Sequence, residues 1–499
     1  MRSVRRLGGA LLLLALAATS ASTVAARPGA GEAGPLSARP NIIVIETDDQ
    51  PEIAFRRDTM PSTFAKIVDH GTVFKQMVAT PPLCCPSRAA LMTGDYPHNS
   101  GVWSNEPGYR DLRGKTKVLP VWLHGAGYRT ALVGKFINGY GAFGGTQAPP
   151  GWDHVMRPLN PYEYFGTQFL HNGRHLRLPP NGYITDAETY DAVGFLHANL
   201  GSDQPIFMWY TPTAPHTGTP PTPPCDHRGP VSKPANYRRF ADVPLPKSPN
   251  FDEADVSDKP AGLQRPLLTA EQKAALVRRY RCALGSLWSV DQGVQAIVNE
   301  LRDAGELQRT VLVFTSDNGM MYGEHRFPSG KEKPYEESTR VPLAIRPPRA
   351  SGTSPPVSAA PVGMVDLAPT ILDYADATPC SGSRCRTLDG RSLRPLLRGQ
   401  SARWPKDRGL LIELNAECAY EGIRTTSAVY VKYRTPPGGH CPGPGVTELY
   451  NLSRDPFQLQ NLLAHPTPRA RSLKRSMATR LKRLQVCSGA ASARAVPCE

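Results

Sequence analysis

The chain has 499 residues, of which 40% are apolar and 20% charged, a composition that excludes a disordered polyelectrolyte and leaves room for a large enzyme domain beside a smaller one. The formal net charge of +15 suits an anionic partner. Much of that charge falls in 469–483, on the wet faces of a predicted C-terminal helix whose apolar stripe is Leu473, Met477, Leu481 and Leu484, so no nucleic-acid arm is expected.

Arg2, Arg5 and Arg6 flank an apolar run over 7–18, and small residues continue up to Ala26. The pattern reads as a secretory signal peptide over 1–26, with the Sec and twin-arginine routes both open. The run is too short for a spanning helix, and no later segment is long enough, so the mature protein is expected to be exported and not stably inserted in a membrane. Apolar runs at 41–45, 129–133, 205–210 and 311–315, with a weaker one at 341–345, predict buried parallel strands. Helical patterns over 60–70, 87–92, 186–199 and 269–304 lie between them, and the alternation predicts an α/β sheet covered on both faces. The Pro-rich stretch 211–266 is too long for a connection and is expected to form a wall over a site, and 351–361 is a second Pro/Ser-rich stretch. After about residue 375 the pattern changes to short strands, such as 427–434 and 447–452, which predicts a smaller antiparallel domain closed by the terminal helix. Of ten cysteines, six form three local pairs (Cys380 with Cys385, Cys418 with Cys441, Cys487 with Cys498), and Cys225 with Cys282 is a plausible fourth, although spacing does not fix connectivity. Cys84 and Cys85 are left over.

Chemically capable residues cluster directly after the predicted strands. Asp48-Asp49 come after the first, Lys135 after the second, His216 after the third and Asp317-Asn318 after the fourth. Ligands bind outside the carboxyl ends of strands in open α/β sheets, so the four clusters are expected to share one site. The two aspartate-containing pairs offer only oxygen donors, which suit calcium or magnesium more than zinc. In the segment from Cys84 to Gly94, Pro86 suits the first helical position and Gly94 the helix end. Cys84 would then lie just ahead of a helix N-terminus that favours an anion, with Arg88 one turn further on.

Cys84-Cys85-Pro86-Ser87-Arg88, with Leu91, Thr93 and Gly94 beyond it, resembles the signature of the type I sulfatases of the alkaline phosphatase superfamily. The resemblance spans nearly the whole mature chain and is closest to the N-acetylglucosamine-6-sulfatase branch, through the doubled cysteine, Tyr96-Pro97-His98-Asn99, Gly134-Lys135-Phe136 and the stretch 250–260. It implies a large mixed, mostly parallel sheet sandwiched by helices, with a catalytic domain over 39–375 and a smaller C-terminal α+β domain over 376–499. It also implies that Cys84 is oxidised to formylglycine by a formylglycine-generating enzyme. Asp48, Asp49, Asp317 and Asn318 would then hold one calcium ion, with magnesium as the alternative, together with the oxygen at position 84. Arg88, Lys135 and Lys331 are the candidate cations for a sulfate ester, and losing one such contact typically costs ~3 kcal/mol. His216 is the candidate proton donor to the leaving alcohol. His98, Asn138 and His325 are further candidates for substrate binding. Many sulfatases carry a histidine two positions after the Gly-Lys lysine; here that residue is Ile137, which leaves the activating base unassigned.

The expected activity is hydrolysis of sulfate esters, on 6-O-sulfated glucosamine-type glycans or aryl sulfates. Two alternatives remain open: a phosphodiesterase or phosphonate monoester hydrolase of the same superfamily, and a non-catalytic binder of sulfated polysaccharide.

Overall fold

The computed structural model describes residues 39–143, 147–352, 354–434, 441–489 and 497–499; the predicted signal peptide over 1–26 lies outside the described residues. Ten strands form one sheet in the order β10-β2-β9-β8-β1-β7-β3-β4-β5-β6. They are β1 Asn41–Thr47, β2 Thr72–Val78, β3 Arg129–Gly134, β4 His154–Pro158, β5 Gln168–His171, β6 Arg174–Arg177, β7 Ile206–Thr211, β8 Thr310–Ser316, β9 Leu343–Arg346 and β10 Val357–Gly363. The four strands read most directly from the sequence, β8, β1, β7 and β3, are consecutive in the sheet and mutually parallel, with Thr47 level with Ser316 and Gly134 level with Thr211. Their carboxyl ends therefore share one edge, which brings the four chemical clusters together. β9 runs antiparallel to β8 and β2, and β5 and β6 form an antiparallel extension, so the sheet is mixed.

Strand alternation sends each central strand into two cores. Ile42, Val44, Leu132, Trp209 and Val313 pack on the face that carries the helix Cys84–Thr93. Ile43, Ile45, Val133, Tyr210 and Phe314 pack on the face that carries the helices Ile184–Asn199 and Ala270–Asp303. The second of these spans 34 residues and opens with a capping box, in which the Thr269 side chain accepts from the Gln272 backbone and Gln272 returns a bond to Thr269.

The Pro/Ser-rich stretch 351–361 contains the start of β10, which pairs parallel with β2 along the sheet edge. An edge strand tolerates Pro361, whose missing N–H would break a central ladder, and the register shifts between Ser358 and Pro361. The stretch 211–266 is largely irregular, with two short helices, Pro234–Arg239 and Ala261–Leu263.

Beyond the sheet, the short hairpin β11 Cys380–Ser381 and β12 Arg384–Cys385 precedes a four-stranded antiparallel meander. Its strands are β13 Leu410–Leu414, β14 Tyr420–Arg424, β15 Ala428–Tyr433 and β16 Thr447–Asn451. The terminal helix Pro468–Leu484 buries Met477, Leu481 and Leu484 of the predicted stripe, in the same core as Leu411 and Ile423 of the meander. The other face of the meander packs on Leu83, Met321, Phe327 and Tyr335, so the C-terminal sheet backs directly onto the loop after β8. All four expected disulfides form, and Cys84 and Cys85 remain as buried free thiols. Among the described residues no helix is long and apolar enough to cross a membrane.

Candidate active site

The segment from Cys84 to Gly94 is helical from Cys84 itself, two residues earlier than Pro86 predicted. Ser87 N–H closes the first turn on the Leu83 carbonyl (2.9 Å), and Pro86 sits within that turn, where no N–H is required. The helix stops at Gly94, whose φ of 72° is left-handed and whose N–H returns to the Ala90 carbonyl. Cys84 is thus held at the positive end of a fully buried helix.

Its sulfur lies 3.6 Å from Asp48 Oδ1 and accepts from Lys331 Nζ at 2.9 Å. Lys331 Nζ also donates to Asp49 Oδ1 at 2.6 Å. Ligand-type atoms of Asp48, Asp49, Cys84 and His216 all lie within 4.8 Å of one another. Asp317 Oδ1 accepts from the Asp49 backbone N–H (3.1 Å), and Asn318 Nδ2 donates to Asp49 Oδ1 (2.7 Å). Asp49 holds this place with φ of 65°, a left-handed conformation that aspartate tolerates better than most residues. Asn318 Oδ1 is buried and receives no hydrogen bond. A set of buried carboxylates with an unfilled amide oxygen beside them fits a hard, oxygen-seeking cation.

The cations divide into two kinds. Arg88 is fully buried and faces the protein: Nε donates to Asp317 Oδ2 (2.9 Å), Nη1 to the Lys135 carbonyl (2.9 Å), and the guanidinium lies 3.5 Å from Asp48 and 3.6 Å from Glu46. It binds the helix Cys84–Thr93 to three strand tips and positions the carboxylates. Lys135 Nζ ion-pairs with Asp48 Oδ2 and lies 5.3 Å from the ring centroid of Tyr162. Gly134 before it has φ of 113°, and a Cβ there would come within 2.2 Å of the Thr211 carbonyl oxygen, so the turn that aims Lys135 needs glycine. Burial alone would raise Asp48, but Lys135, His216 and Arg88 outweigh it and hold the carboxyl well below its usual range. Asp317 is pushed up to about 6 by burial and by the neighbouring Asp48 charge. Burial drives the Cys84 thiol well above its usual range, with the Asp48 charge adding to it, so the encoded thiol is a poor nucleophile at neutral pH.

His216 turns Nδ1 onto the Thr217 carbonyl (2.7 Å) and presents Nε2 to Asp49 Oδ2 at 3.4 Å. Burial lowers its pKa despite the Asp49 and Asp48 charges. The Tyr162 ring packs against it at 4.8 Å between centroids, and Tyr164 OH donates to its carbonyl. Asp49, His216 and Lys331 line a cavity of about 610 Å³ whose walls also include Arg228, Arg265, Arg279, Arg326, Phe327 and Lys333.

Two sequence candidates, His98 and His325, are engaged otherwise, and a third, Asn138, borders the site. Both ring nitrogens of His98 face other groups, Glu413 Oε1 at 2.7 Å and the Cys487 carbonyl at 2.9 Å. His325, 1% exposed, bonds Glu253 (2.6 Å) and packs on Tyr335, which ties the 250–260 stretch to the loop after β8. Asn138 adjoins the site through its side chain, which meets Tyr162, and through its backbone, whose N–H meets Cys85 Sγ at 3.2 Å and whose carbonyl accepts from Tyr109. Sequence reasoning missed Glu46, Tyr162 and Tyr164. Glu46 was discoverable, because strand alternation puts it on the same side as Asp48; the tyrosines come from the β4–β5 connection and carry no local signal.

Comparison with known proteins agrees with this geometry. The model of the Sulfatase family matches residues 40–377, and that of the N-sulphoglucosamine sulphohydrolase C-terminal region matches 323–487. An arylsulfatase of Volvox carteri is 35% identical over 416 residues, covering 78% of this chain; the chain spans 62% of that relative's length. The human N-acetylglucosamine-6-sulfatase is 29% identical, over 90% of this chain and 85% of its own. A protein solved in complex with its substrate D-glucosamine-2-N,6-O-disulfate shares the fold at a TM-score of 0.72 and 23% identity, covering 90% of this chain and 97% of that one. With the match extending through every strand tip that contributes to the cluster, this chain belongs to the sulfatase family.

Proposed function

We propose that this protein hydrolyses sulfate esters, with position 84 acting as formylglycine and with 6-O-sulfated glucosamine-type glycans as substrates and aryl sulfates as surrogates. The observation that carries the reading is the convergence at Cys84, whose sulfur touches Lys331 and Asp48 where four parallel strands end. Sγ marks the place of the aldehyde carbon's oxygens after oxidation. The hydrated aldehyde supplies two hydroxyls, one to attack sulfur and one whose collapse expels sulfate. Asp48, Asp49, Asp317 and Asn318 would hold the metal, calcium in this reading, which supplies positive charge for the sulfate oxygens.

The chain's own groups do the rest. Lys135 and Lys331 place fixed positive charge where negative charge builds up on the sulfate and the leaving oxygen, and burial strengthens that effect. Arg88 holds Asp48 and Asp317 in register beneath them. His216, its Nδ1–H held by the Thr217 carbonyl, carries a second proton on Nε2 as the imidazolium, beside Asp49, and delivers it to the departing alcohol. Export by the 1–26 leader, maturation by a formylglycine-generating enzyme and a catalytic region ending near residue 375 belong to the same reading.

The test is chemical. The tryptic peptide 76–88 from protein made in its native host should be lighter by the exchange of the thiol side chain for an aldehyde. Cys84→Ser should release no sulfate over repeated turnovers, because a sulfated serine has no second hydroxyl to free it. An unmodified peptide, or a serine variant that turns over, would refute the mechanism. Faster hydrolysis of an aryl phosphodiester than of the aryl sulfate would refute the substrate assignment.

A further inference from the structure

The cavity that reaches Asp49 and Lys331 carries more positive charge than one sulfate ester can use. Arg279 is matched by Asp226 at 3.2 Å, and Arg326 donates all its bonds to the carbonyls of Glu253, Ala254 and Arg265. Arg265 is different. It lines the cavity, no carboxylate lies within ion-pair distance of it among the described residues, and its Nε is buried without a hydrogen-bond partner. Its guanidinium lies 5.4 Å from the ring centroid of Phe327, and Lys333 Nζ lies 5.6 Å from the same ring. The carboxylate within ion-pair distance of Lys333 among the described residues is the exposed Glu417, at 3.7 Å, beyond a normal hydrogen bond. Arg228, exposed on the cavity wall, is likewise without a carboxylate partner among the described residues.

We propose that Arg265 and Lys333, set over Phe327 with Arg228 on the wall, form a second anion-binding subsite for a sulfate or carboxylate group on the same substrate molecule, apart from the ester that is cleaved. The inference rests on the sulfatase reading and narrows it to glycans with at least two anionic groups. A guanidinium without a carboxylate partner meets either anion by paired N–H donors, and the Phe327 ring shields part of each cation from water. Arg326 prepares the subsite, because its bonds to the Arg265 and Glu253 carbonyls fix the 253–265 wall before any ligand arrives.

The experiment compares kcat/KM for N-acetylglucosamine 6-sulfate, a monoanion, with that for glucosamine N,6-disulfate and for an N-acetylglucosamine 6-sulfate joined to a uronate. At least one dianionic substrate should be preferred by about tenfold, the worth of one charge-assisted contact. Which of the two is preferred tells sulfate from carboxylate. In R265Q and K333Q, with folding checked by melting temperature, that ratio should fall toward unity through KM, while kcat on the preferred substrate holds. Equal kcat/KM for mono- and dianionic sugars in the wild type would overturn the proposal, as would a preference that survives both substitutions. Failure to release sulfate from any of the three would strike the parent reading instead. Calorimetric binding of the disulfate and of the uronate-linked sugar to wild type and R265Q would still decide this one, with equal affinities for both ligands overturning it.

Discussion

Lys135 shows how much of the site's electrostatics can rest on one side chain. It is 2% exposed, its ammonium meets Asp48, and its backbone carbonyl anchors Arg88. Truncating it removes the largest influence that keeps Asp48 ionised and leaves a buried carboxylate short of a partner. Lys135→Ala is expected to lower kcat by about two orders of magnitude, the usual cost of losing a buried group that stabilises developing charge. The Asp48 carboxyl should rise once Lys135 is gone, so the acid limb of the pH–rate profile should move to higher pH. Steady-state kinetics from pH 5 to 9 on an aryl sulfate would check both, and a kcat within about twofold of wild type would remove Lys135 from the chemistry. The residues visible from sequence here are those whose type and position after a strand coincide: Asp48, Asp49, Lys135, His216, Asp317 and Asn318. Arg88 was legible as a member of the site, but not its direction, since a helical arginine next to an anion hole could face solvent or protein. Only packing turned it inward, onto Asp317 and Glu46.

At the scale of elements, the helix Ile184–Asn199 carries an unexplained cost. Glu188 is fully buried, neither carboxylate oxygen has a hydrogen-bond partner, and burial drives its pKa well above the usual value of 4.5. A carboxyl whose folded pKa is raised keeps its proton, so its stability contribution is present below pH 4.5 and is lost as pH rises above it. Glu188→Gln cannot ionise, so it should stabilise the protein at pH 8 by roughly 1–3 kcal/mol, and much less at pH 5. Melting curves at the two pH values would show it, and a pH-independent difference would contradict the assignment. The amphipathic and capped elements were the readable ones: the helix Ala270–Asp303 begins where Thr269 and Gln272 form a capping box. The strands β4, β5, β6 and β10 were not, because edge and antiparallel strands are short, half-wet and rich in polar residues or proline.

Across the whole molecule, the C-terminal meander is fastened by His98 to the face of the large sheet that carries the helix Cys84–Thr93. Its ring bridges Glu413 on β13 and the Cys487 carbonyl beyond the terminal helix. Burial opposes its charge, but the Glu413 carboxylate outweighs that and raises His98 to about 9. A histidine with a raised folded pKa stabilises fully below its unfolded value of 6.5, and that contribution fades as pH climbs through about 9. His98→Ala should therefore cost about 1–3 kcal/mol near pH 6.5 and distinctly less at pH 9.5, measured by urea unfolding. A gap that stays constant with pH would show that His98 acts only by filling space. The same joint explains why His98, Glu253 and His325 sit in recognisable motifs away from the reacting centre: they hold the walls that surround it.

The sequence alone determined the central parallel strands, the clusters at their tips, the Cys84–Gly94 motif and three local cysteine pairs, since each is a local pattern of burial, charge or spacing, whereas the bond between Cys225 and Cys282 was fixed only by the fold. Tertiary structure decided which cations face the cavity and which brace the carboxylates, and it placed Tyr162 against His216 and Arg265 above Phe327. Those relations join residues far apart in the chain, and their energy depends on burial and neighbours that no local window contains.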